Sequence, residues 1–265
     1  MLPESALLGK RIVVTRPANQ SRELVGLLRE HGAIVENVPC IRIVTLPGVK
    51  STALDCIAHE NCDWIFFTSA NAATELAKQL GPQHFEIIGK KGIAVIGGKT
   101  AQAARLAGFR VDFEAAPGAA EEFGAQMLAE GITPTHVFYP ASILADDRLE
   151  RRLHAAGVAV TRLDIYRTVS AVDANALRCV FAKTPDAVVF YSPSAAQFFF
   201  DALPREFRQD LSEIKFAAIG ATTARTLREI GIHDPIIAGQ PVTAALVEAL
   251  VHYFRVEEQC GASVG

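Results

Sequence analysis

The chain has 265 residues, of which 50% are hydrophobic, and a formal net charge of −3 with an isoelectric point near 6.2. This charge provides no global basic field, which argues against a nucleic-acid partner. The five cysteines are scattered and the seven histidines form no H-x-x-x-H pair, so we expect reduced thiols in a cytoplasmic protein and no metal site. No apolar run approaches the roughly 20 residues of a membrane span, and no leader precedes the first strand, so no membrane contact is expected.

Apolar strands and amphipathic helices alternate from the start of the chain. Strands are predicted at 10–15 and 33–38, with a helix between them that stops at Gly32. Near-continuous apolar strands joined by helices are typical of a parallel sheet covered on both faces. The next segment, 39–47, is extended and bounded by prolines, which favours a connector over a central strand.

The alternation resumes at residue 51 and continues to a second extended segment at 160–169, which corresponds to 39–47. Between them the pattern predicts strands at 64–68, 93–96, 111–113 and 136–139, and helices at 51–60, from Asn71, from Thr100, near 121–130 and up to Gly157. Tyr139 to Ser142 is interpreted as a loop at a strand end. The tail after Phe254 is predicted to fray.

Much of the chain is present twice. IAVIGGKTAQAARLAG at 93–108 and FAAIGATTARTLREIG at 216–231 share a strand, a glycine turn, a threonine and a helix at an offset of 123 residues. The same offset relates Asp63 to Asp186, and an offset of 125 relates 32–42 to 157–167. Because the first 38 residues are too few for a core, they must complete the second copy in the last third of the chain.

These patterns predict an α/β protein of two similar domains, each a parallel sheet flanked by helices. The first domain is discontinuous, with residues 1–39 plus 168–265, and the second comprises 46–163. Residues 40–45 and 164–167 are predicted to form a two-stranded β linker. We expect the carboxyl edges of the two sheets to face one cleft.

Small polar side chains follow several predicted strands where a helix begins. A helix start presents unpaired backbone N–H groups and the positive end of its dipole, which suits a carboxylate or a phosphate. Each hydroxyl could instead only cap its helix, and this alternative stays open. The candidate binding residues are Arg16, Thr68, Ser69, Asn71, Thr100, Tyr139, Ser142, Ser192, Ser194, Thr222 and Thr223.

Tyr166 is the candidate catalytic residue. It lies in the predicted hinge, where its phenol could donate a proton or a hydrogen bond to a leaving hydroxyl. The alternative is an interface tyrosine with a packed ring and a solvated tip. Neither a G-x-G-x-x-G fingerprint nor a P-loop is present, which argues against NAD and ATP, and Ser192 is not in a G-x-S-x-G elbow.

Six short motifs together resemble the uroporphyrinogen-III synthase family, over residues 10 to 252. They are VTRP at 14–17, FTSAN at 67–71, AVIG at 94–97, YRT at 166–168, YSPSA at 191–195 and AIGATTA at 218–224. The chain departs from relatives at Ala221, where proline often precedes the threonine pair, and at Ala70-Asn71, where others have Pro-Arg.

The resemblance implies two α/β domains that cyclise hydroxymethylbilane to uroporphyrinogen III, with inversion of ring D and loss of water, in haem biosynthesis. The route implied runs through an azafulvene and a spiro intermediate, with Tyr166 assisting loss of the hydroxyl. The candidate binding residues would hold the eight carboxylates of the substrate. We expect a monomer without a cofactor. Transient contact with hydroxymethylbilane synthase is left open, as is a non-catalytic protein of the same fold that binds a polycarboxylate or tetrapyrrole.

Overall fold

The structure is a computed structural model and describes residues 6–58, 62–116, 123–208 and 211–262. The chain forms two compact units, the first from residues 1–42 and 169–265 and the second from 43–168. It passes from one unit to the other within two strands, β3 (Ile41–Thr45) and β8 (Ala159–Ser170). The domain bounds and the separate linker given above stay predictions.

The first unit contains a five-stranded sheet in the order β11-β10-β9-β1-β2. Its strands are β1 (Arg11–Val14), β2 (Ile34–Asn37), β9 (Ala187–Phe190), β10 (Lys215–Ala218) and β11 (Ile236–Ile237). Its α-helices are α1 (Arg22–Glu30), α8 (Ala174–Phe181), α9 (Pro193–Ala202), α10 (Arg205–Arg208), α11 (Ala221–Glu229) and α12 (Thr243–Ala262). A short 3-10 helix precedes α1 at Ala18–Gln20.

The second unit contains a six-stranded sheet in the order β3-β8-β7-β4-β5-β6. Besides β3 and β8, its strands are β4 (Trp64–Phe67), β5 (Gly92–Ile96), β6 (Phe113–Ala115) and β7 (His136–Ser142). Its helices are α2 (Val49–Ala58), α3 (Ala70–Gln79), α4 (Pro82–Ile88), α5 (Gly98–Leu106), α6 (Phe123–Ala129) and α7 (Arg148–Ala155). The predicted start of α6 lies outside the described residues.

Successive side chains of the central strands enter cores on opposite faces of each sheet. Val13 of β1 packs in the cluster with Phe199, whereas its neighbours Ile12 and Val14 pack in the cluster with Leu250. This alternation is the period of a strand, and burial of both alternating sets is typical of a parallel sheet between two helix layers. Every strand pair with a described register is parallel. The predicted fold class is confirmed.

The duplication is present in the topology. The order β11-β10-β9-β1-β2 of the first unit matches β6-β5-β4-β7-β8 of the second, with β3 added beside β8. The repeated aspartates also make equivalent bonds. Asp186 accepts a hydrogen bond from the backbone N–H of Arg11 at 2.7 Å, and Asp63 accepts one from the backbone N–H of His136 at 2.9 Å. In each unit the aspartate therefore ties together the starts of two neighbouring strands.

The backbone conformation at the ends of the repeated helices requires glycine. Gly108 and Gly231 have φ angles of 93° and 105°, in the region that side chains disfavour. Each comes directly after the C-cap residue of its helix, Ala107 for α5 and Ile230 for α11, which is where glycine is most enriched. The predicted cap at Gly231 is thus displaced by one residue.

Two local expectations were wrong. Tyr139 to Ser142 is not a loop, because β7 continues through Pro140 to Ser142. The described pairing of β7 with β4 ends at Phe138, so Pro140 lies where β7 is bonded to β8 alone. The tail after Phe254 continues as helix α12 to Ala262, supported by a 2.5 Å hydrogen bond from the Tyr253 hydroxyl to Glu257.

Candidate active site

The hydroxyls of Ser69 and Tyr166 are hydrogen-bonded at 3.0 Å in the second unit. Ser69 follows β4 and is the N-cap of α3, where its Oγ also accepts a hydrogen bond from the backbone N–H of Asn71 at 3.2 Å. A serine at this position satisfies one of the free N–H groups at the helix start. Ser69 is therefore a helix cap whose Oγ is also hydrogen-bonded to Tyr166, and its place in a substrate site stays a prediction.

A β-bulge brings Tyr166 to this position. Ala141 of β7 faces Asp164 of β8, but the next residue, Ser142, faces Tyr166, so Ile165 is passed over in the register. Ile165 and Tyr166 are consequently both buried in the same core cluster, which a regular strand would not allow. Tyr166 is 4% exposed, and its hydroxyl reaches the carboxyl end of β4.

A second hydroxyl pair lies beside the first. The hydroxyls of Thr68 and Tyr139 are 3.2 Å apart, and Tyr139 is buried in the opposite core of the same sheet. Ser142 is half-buried at the end of β7. The carboxyl edge of this sheet thus collects five of the predicted site residues, which are Thr68, Ser69, Tyr139, Ser142 and Tyr166.

Burial controls the protonation of both tyrosines. Removal from water raises the pKa of Tyr166 above its ordinary value of 10.0, and its hydrogen bond with Ser69 only partly opposes this. Burial likewise raises the pKa of Tyr139, against the opposing effect of its bond to Thr68. Both phenols are therefore neutral at physiological pH and can donate hydrogen bonds.

Sequence reasoning missed Glu75, which lies on α3 beyond Ser69. Its side chain is buried, with one carboxylate oxygen accepting a bond from the Thr45 hydroxyl at 2.7 Å and the other paired with Lys78 at 2.5 Å. The first bond ties α3 to β3, which lies beside β8 in the sheet. The sequence does contain one signal of this, because Glu75 lies on the same helix face as the apolar residues Ala72 and Leu76. Its partner could not be predicted, since Thr45 is 30 residues away in the chain.

The equivalent sheet edge in the first unit has a different chemistry. Arg16, two residues after β1, places its guanidinium 4.6 Å from the ring centre of Tyr191, which follows β9. Its Nε donates to Gln20 at 3.3 Å. Burial lowers the pKa of Arg16 from 12.5, but a guanidinium starts so far above physiological pH that the group stays charged. Stacking of this kind favours a fixed orientation of the guanidinium.

Of the remaining candidate binding residues, one caps a helix and the others lie in the first turn of a helix without capping it. Ser192 caps α9 by accepting from the backbone N–H of Ala195 at 3.2 Å, and Ser194 is half-buried in the first turn of the same helix. The capping alternative is wrong for the threonines, because the N-caps of α5 and α11 are Gly97 and Gly220. Thr100 and Thr223 are buried at equivalent positions of the two units, whereas Thr222 is exposed.

The described surface cavities lie elsewhere. Two adjoining cavities in the first unit, of about 580 and 300 Å³, are lined by residues such as Leu211, Gly231 and Ile232. Lys215 and Gly231 place them near the amino ends of β10 and β11, and none of the predicted site residues lines either cavity.

Two kinds of feature are absent from the described part of the chain. No cluster of three or more histidine, cysteine, aspartate or glutamate side chains is suited to a metal ion. Among the helices of those residues, none is both long and apolar enough to span a membrane.

The fold and these sheet edges define a duplicated α/β protein with neutral hydroxyls at the strand ends of one unit and a stacked arginine at those of the other. The chain belongs to the uroporphyrinogen-III synthase family, since the family model described as uroporphyrinogen-III synthase HemD matches residues 22–248.

Individual relatives agree with the family model. The chain is 26% identical over 257 residues to the chloroplastic uroporphyrinogen-III synthase of Oryza sativa subsp. japonica, covering 94% of this chain and 82% of that protein. It is 30% identical over 234 residues to a putative uroporphyrinogen-III synthase of Methanothermobacter thermautotrophicus, covering 83% and 90%. The crystal structure of uroporphyrinogen-III synthetase from Helicobacter pylori shares the fold, with a TM-score of 0.65 at 18% identity over 92% of this chain and 99% of that one.

Proposed function

We propose that this protein is a uroporphyrinogen-III synthase, a cyclising lyase that converts hydroxymethylbilane to uroporphyrinogen III with inversion of ring D and loss of water. The observation that carries the proposal beyond family membership is the Ser69–Tyr166 pair, a neutral phenol held at 3.0 Å by a hydroxyl at a helix start. A protein that only bound a polycarboxylate would not require a phenol there.

Tyr166 is assigned the first step. Its hydroxyl donates a hydrogen bond to the hydroxyl of the substrate as the carbon–oxygen bond breaks, which leaves an azafulvene and releases water. Because burial raises the pKa of Tyr166, full transfer of its proton is costly. The role that fits this phenol is therefore donation of a hydrogen bond. Solvent supplies the proton that completes the water, and the pyrrole N–H proton of the same ring is released to solvent as the azafulvene forms.

The other site residues are assigned to binding. The substrate carries eight carboxylates, and helix starts with hydroxyls accept such groups without a large excess of basic side chains. Arg16 adds one oriented positive charge in the first unit. We propose that this set holds the substrate in the conformation that leads to the inverted isomer. It comprises Arg16, Thr68, Ser69, Asn71, Thr100, Tyr139, Ser142, Ser192, Ser194, Thr222 and Thr223.

We further propose that the enzyme acts as a cytoplasmic monomer without a cofactor. The thiols of Cys40, Cys56, Cys62 and Cys179 are unpaired, which supports a reducing compartment. Light scattering after size exclusion tests the monomer, and the absorption spectrum and metal content of the purified protein test the absence of a cofactor.

Transient contact with hydroxymethylbilane synthase is supported by the instability of its product.

A coupled assay tests the function. Hydroxymethylbilane is generated in situ with its synthase, this protein is added, and the oxidised type I and type III uroporphyrins are separated. We expect type III in excess over a control without this protein, because the unassisted reaction gives the non-inverted type I isomer. Type I alone from a folded sample would contradict the proposal and would favour a non-catalytic binder of the same fold.

A further inference from the structure

Two large aliphatic side chains are exposed immediately after β7. Ile143 is 50% exposed and Leu144 is 69% exposed. They lie at the carboxyl edge of the second unit's sheet, in the short segment that leads to α7. Single exposed aliphatic residues are common on protein surfaces, but two in succession on a short turn leave a concentrated apolar surface.

The turn that carries them is rigidly held. The guanidinium of Arg162 donates to the backbone oxygens of Ser142 at 3.2 Å and Ala145 at 3.0 Å, on either side of the aliphatic pair. Arg162 is itself fixed by Asp164 at 2.9 Å and Glu150 at 3.1 Å. A backbone bond from Ala145 to Ser142, at 2.9 Å, closes the turn. The exposed pair is therefore presented in a fixed position, which reduces the entropy lost on binding.

The turn is also continuous with the proposed catalytic residue. The backbone N–H of Ile143 donates to the backbone oxygen of Tyr166 at 3.1 Å, and Ser142 faces Tyr166 in the strand register. The aliphatic pair thus begins one residue beyond the residue opposite Tyr166. The charged residues that follow the aliphatic pair are engaged with one another. Asp146 pairs with Arg148 at 2.7 Å and Asp147 pairs with Arg151 at 3.0 Å, so these side chains do not form a separate ligand site next to the aliphatic pair.

We propose that Ile143 and Leu144 form the contact for the apolar face of a pyrrole ring of the substrate. This inference rests on the proposed function. A linear tetrapyrrole whose leaving hydroxyl lies at Tyr166 must place a ring close to that hydroxyl, and hydroxyls and helix starts bind its carboxylates but not the ring face. A preformed aliphatic surface beside Tyr166 provides the missing contact and helps select the bound conformation of the chain.

Serine substitutions test this contact. We expect Ile143→Ser and Leu144→Ser each to raise KM for hydroxymethylbilane about fivefold to tenfold, with kcat within about twofold, because the contact is kept from substrate to transition state. The affinity for uroporphyrin III should fall by a similar factor. Leu144→Met should keep both the KM and the affinity for uroporphyrin III at their wild-type values, since methionine keeps the apolar surface.

The matched control is Leu106→Ser, at the far end of α5, where the leucine is 83% exposed. Its KM and product affinity should equal those of the wild type, and all variants should keep the wild-type unfolding temperature within a few degrees. Wild-type synthesis of type III together with an unchanged KM for both serine variants would overturn this inference alone. A wild type that forms only type I would overturn the proposed function and, with it, this contact.

Discussion

The hydroxyl of Tyr166 is hydrogen-bonded at 3.0 Å to the Oγ of Ser69, the residue that caps helix α3. One serine thus orients the phenol and closes the helix start. Removing the phenolic oxygen should abolish the proposed hydrogen bond to the leaving hydroxyl while keeping the ring that fills the core. We expect Tyr166→Phe to lower kcat by about 10²–10³-fold and to leave product affinity within several-fold. Steady-state kinetics with in situ substrate measures this, and unaltered turnover would remove Tyr166 from the mechanism.

Ser69→Ala separates the two roles of the serine. Loss of the cap should cost about 1 kcal/mol of stability. Loss of the partner of Tyr166 should in addition lower turnover, by an expected tenfold or so, because the phenol is no longer oriented. Asp173→Ala is the matched control, since Asp173 caps α8 through the backbone N–H groups of Asn175 and Ala176 and is not among the proposed site residues. Equal losses of turnover in the two variants would contradict a special role for Ser69.

The pH dependence of turnover follows from the burial of Tyr166. Its raised pKa means that the neutral, hydrogen-bond-donating form persists to a higher pH than that of a free tyrosine, near 10.0. The ratio of wild-type to Tyr166→Phe turnover should therefore stay constant from pH 7 to 9. It should decrease only above the ordinary tyrosine value. A ratio that falls between pH 7 and 9 would indicate that Tyr166 ionises early and would contradict this account.

The arrangement around Tyr166 also separates what the sequence predicts from what it does not. The repeat at an offset of 123 residues predicts that Asp63 and Asp186 are equivalent, and both bind the start of a neighbouring strand. Local periodicity and the glycines that end helices are properties of neighbouring residues, so the elements and the fold class follow from them.

The bulge between Ala141 and Ser142 is a different kind of feature. It depends on how β7 and β8 pair, and these strands are joined through α7, so no local pattern contains it. The bulge decides which core Tyr166 enters. The same holds for Glu75, whose neighbours predict only a helix face and not its bond to Thr45.

The bonds that buried Glu75 makes should contribute to the free energy of unfolding. Glu75→Ala should destabilise the protein by about 2–3 kcal/mol, because the Thr45 hydroxyl and Lys78 lose their buried partner. Glu75→Gln should cost less, since its amide oxygen can still accept the bond from Thr45. Glu86→Ala, an exposed position on α4, should change stability by no more than about 0.5 kcal/mol. Urea unfolding of the three variants measures these differences, and an Ala variant as stable as the Glu86 control would contradict the role of Glu75.

Because the Cys40 thiol is buried, we expect the protein to lose stability in alkaline solution. Its thiol is fully buried and donates to the backbone oxygen of Val38 at 3.3 Å, and burial raises its pKa from 9.0 to about 12. The unfolded chain loses this proton first, so the contribution of Cys40 is fully present below pH 9 and is lost as the pH rises toward 12. At pH 10.5 the loss should be about 2 kcal/mol, since each unit of difference in pKa corresponds to about 1.4 kcal/mol.

Urea unfolding of wild type and Cys40→Ala at pH 8 and pH 10.5 tests this. The alanine variant has no thiol to ionise, so its stability should fall less over this range, and the difference between the two proteins should shift in its favour by about 2 kcal/mol. Comparison with Cys40→Ala removes the contribution of the tyrosines, which ionise in both proteins. A constant difference between wild type and Cys40→Ala would mean that this thiol ionises in the folded protein as readily as in the unfolded chain.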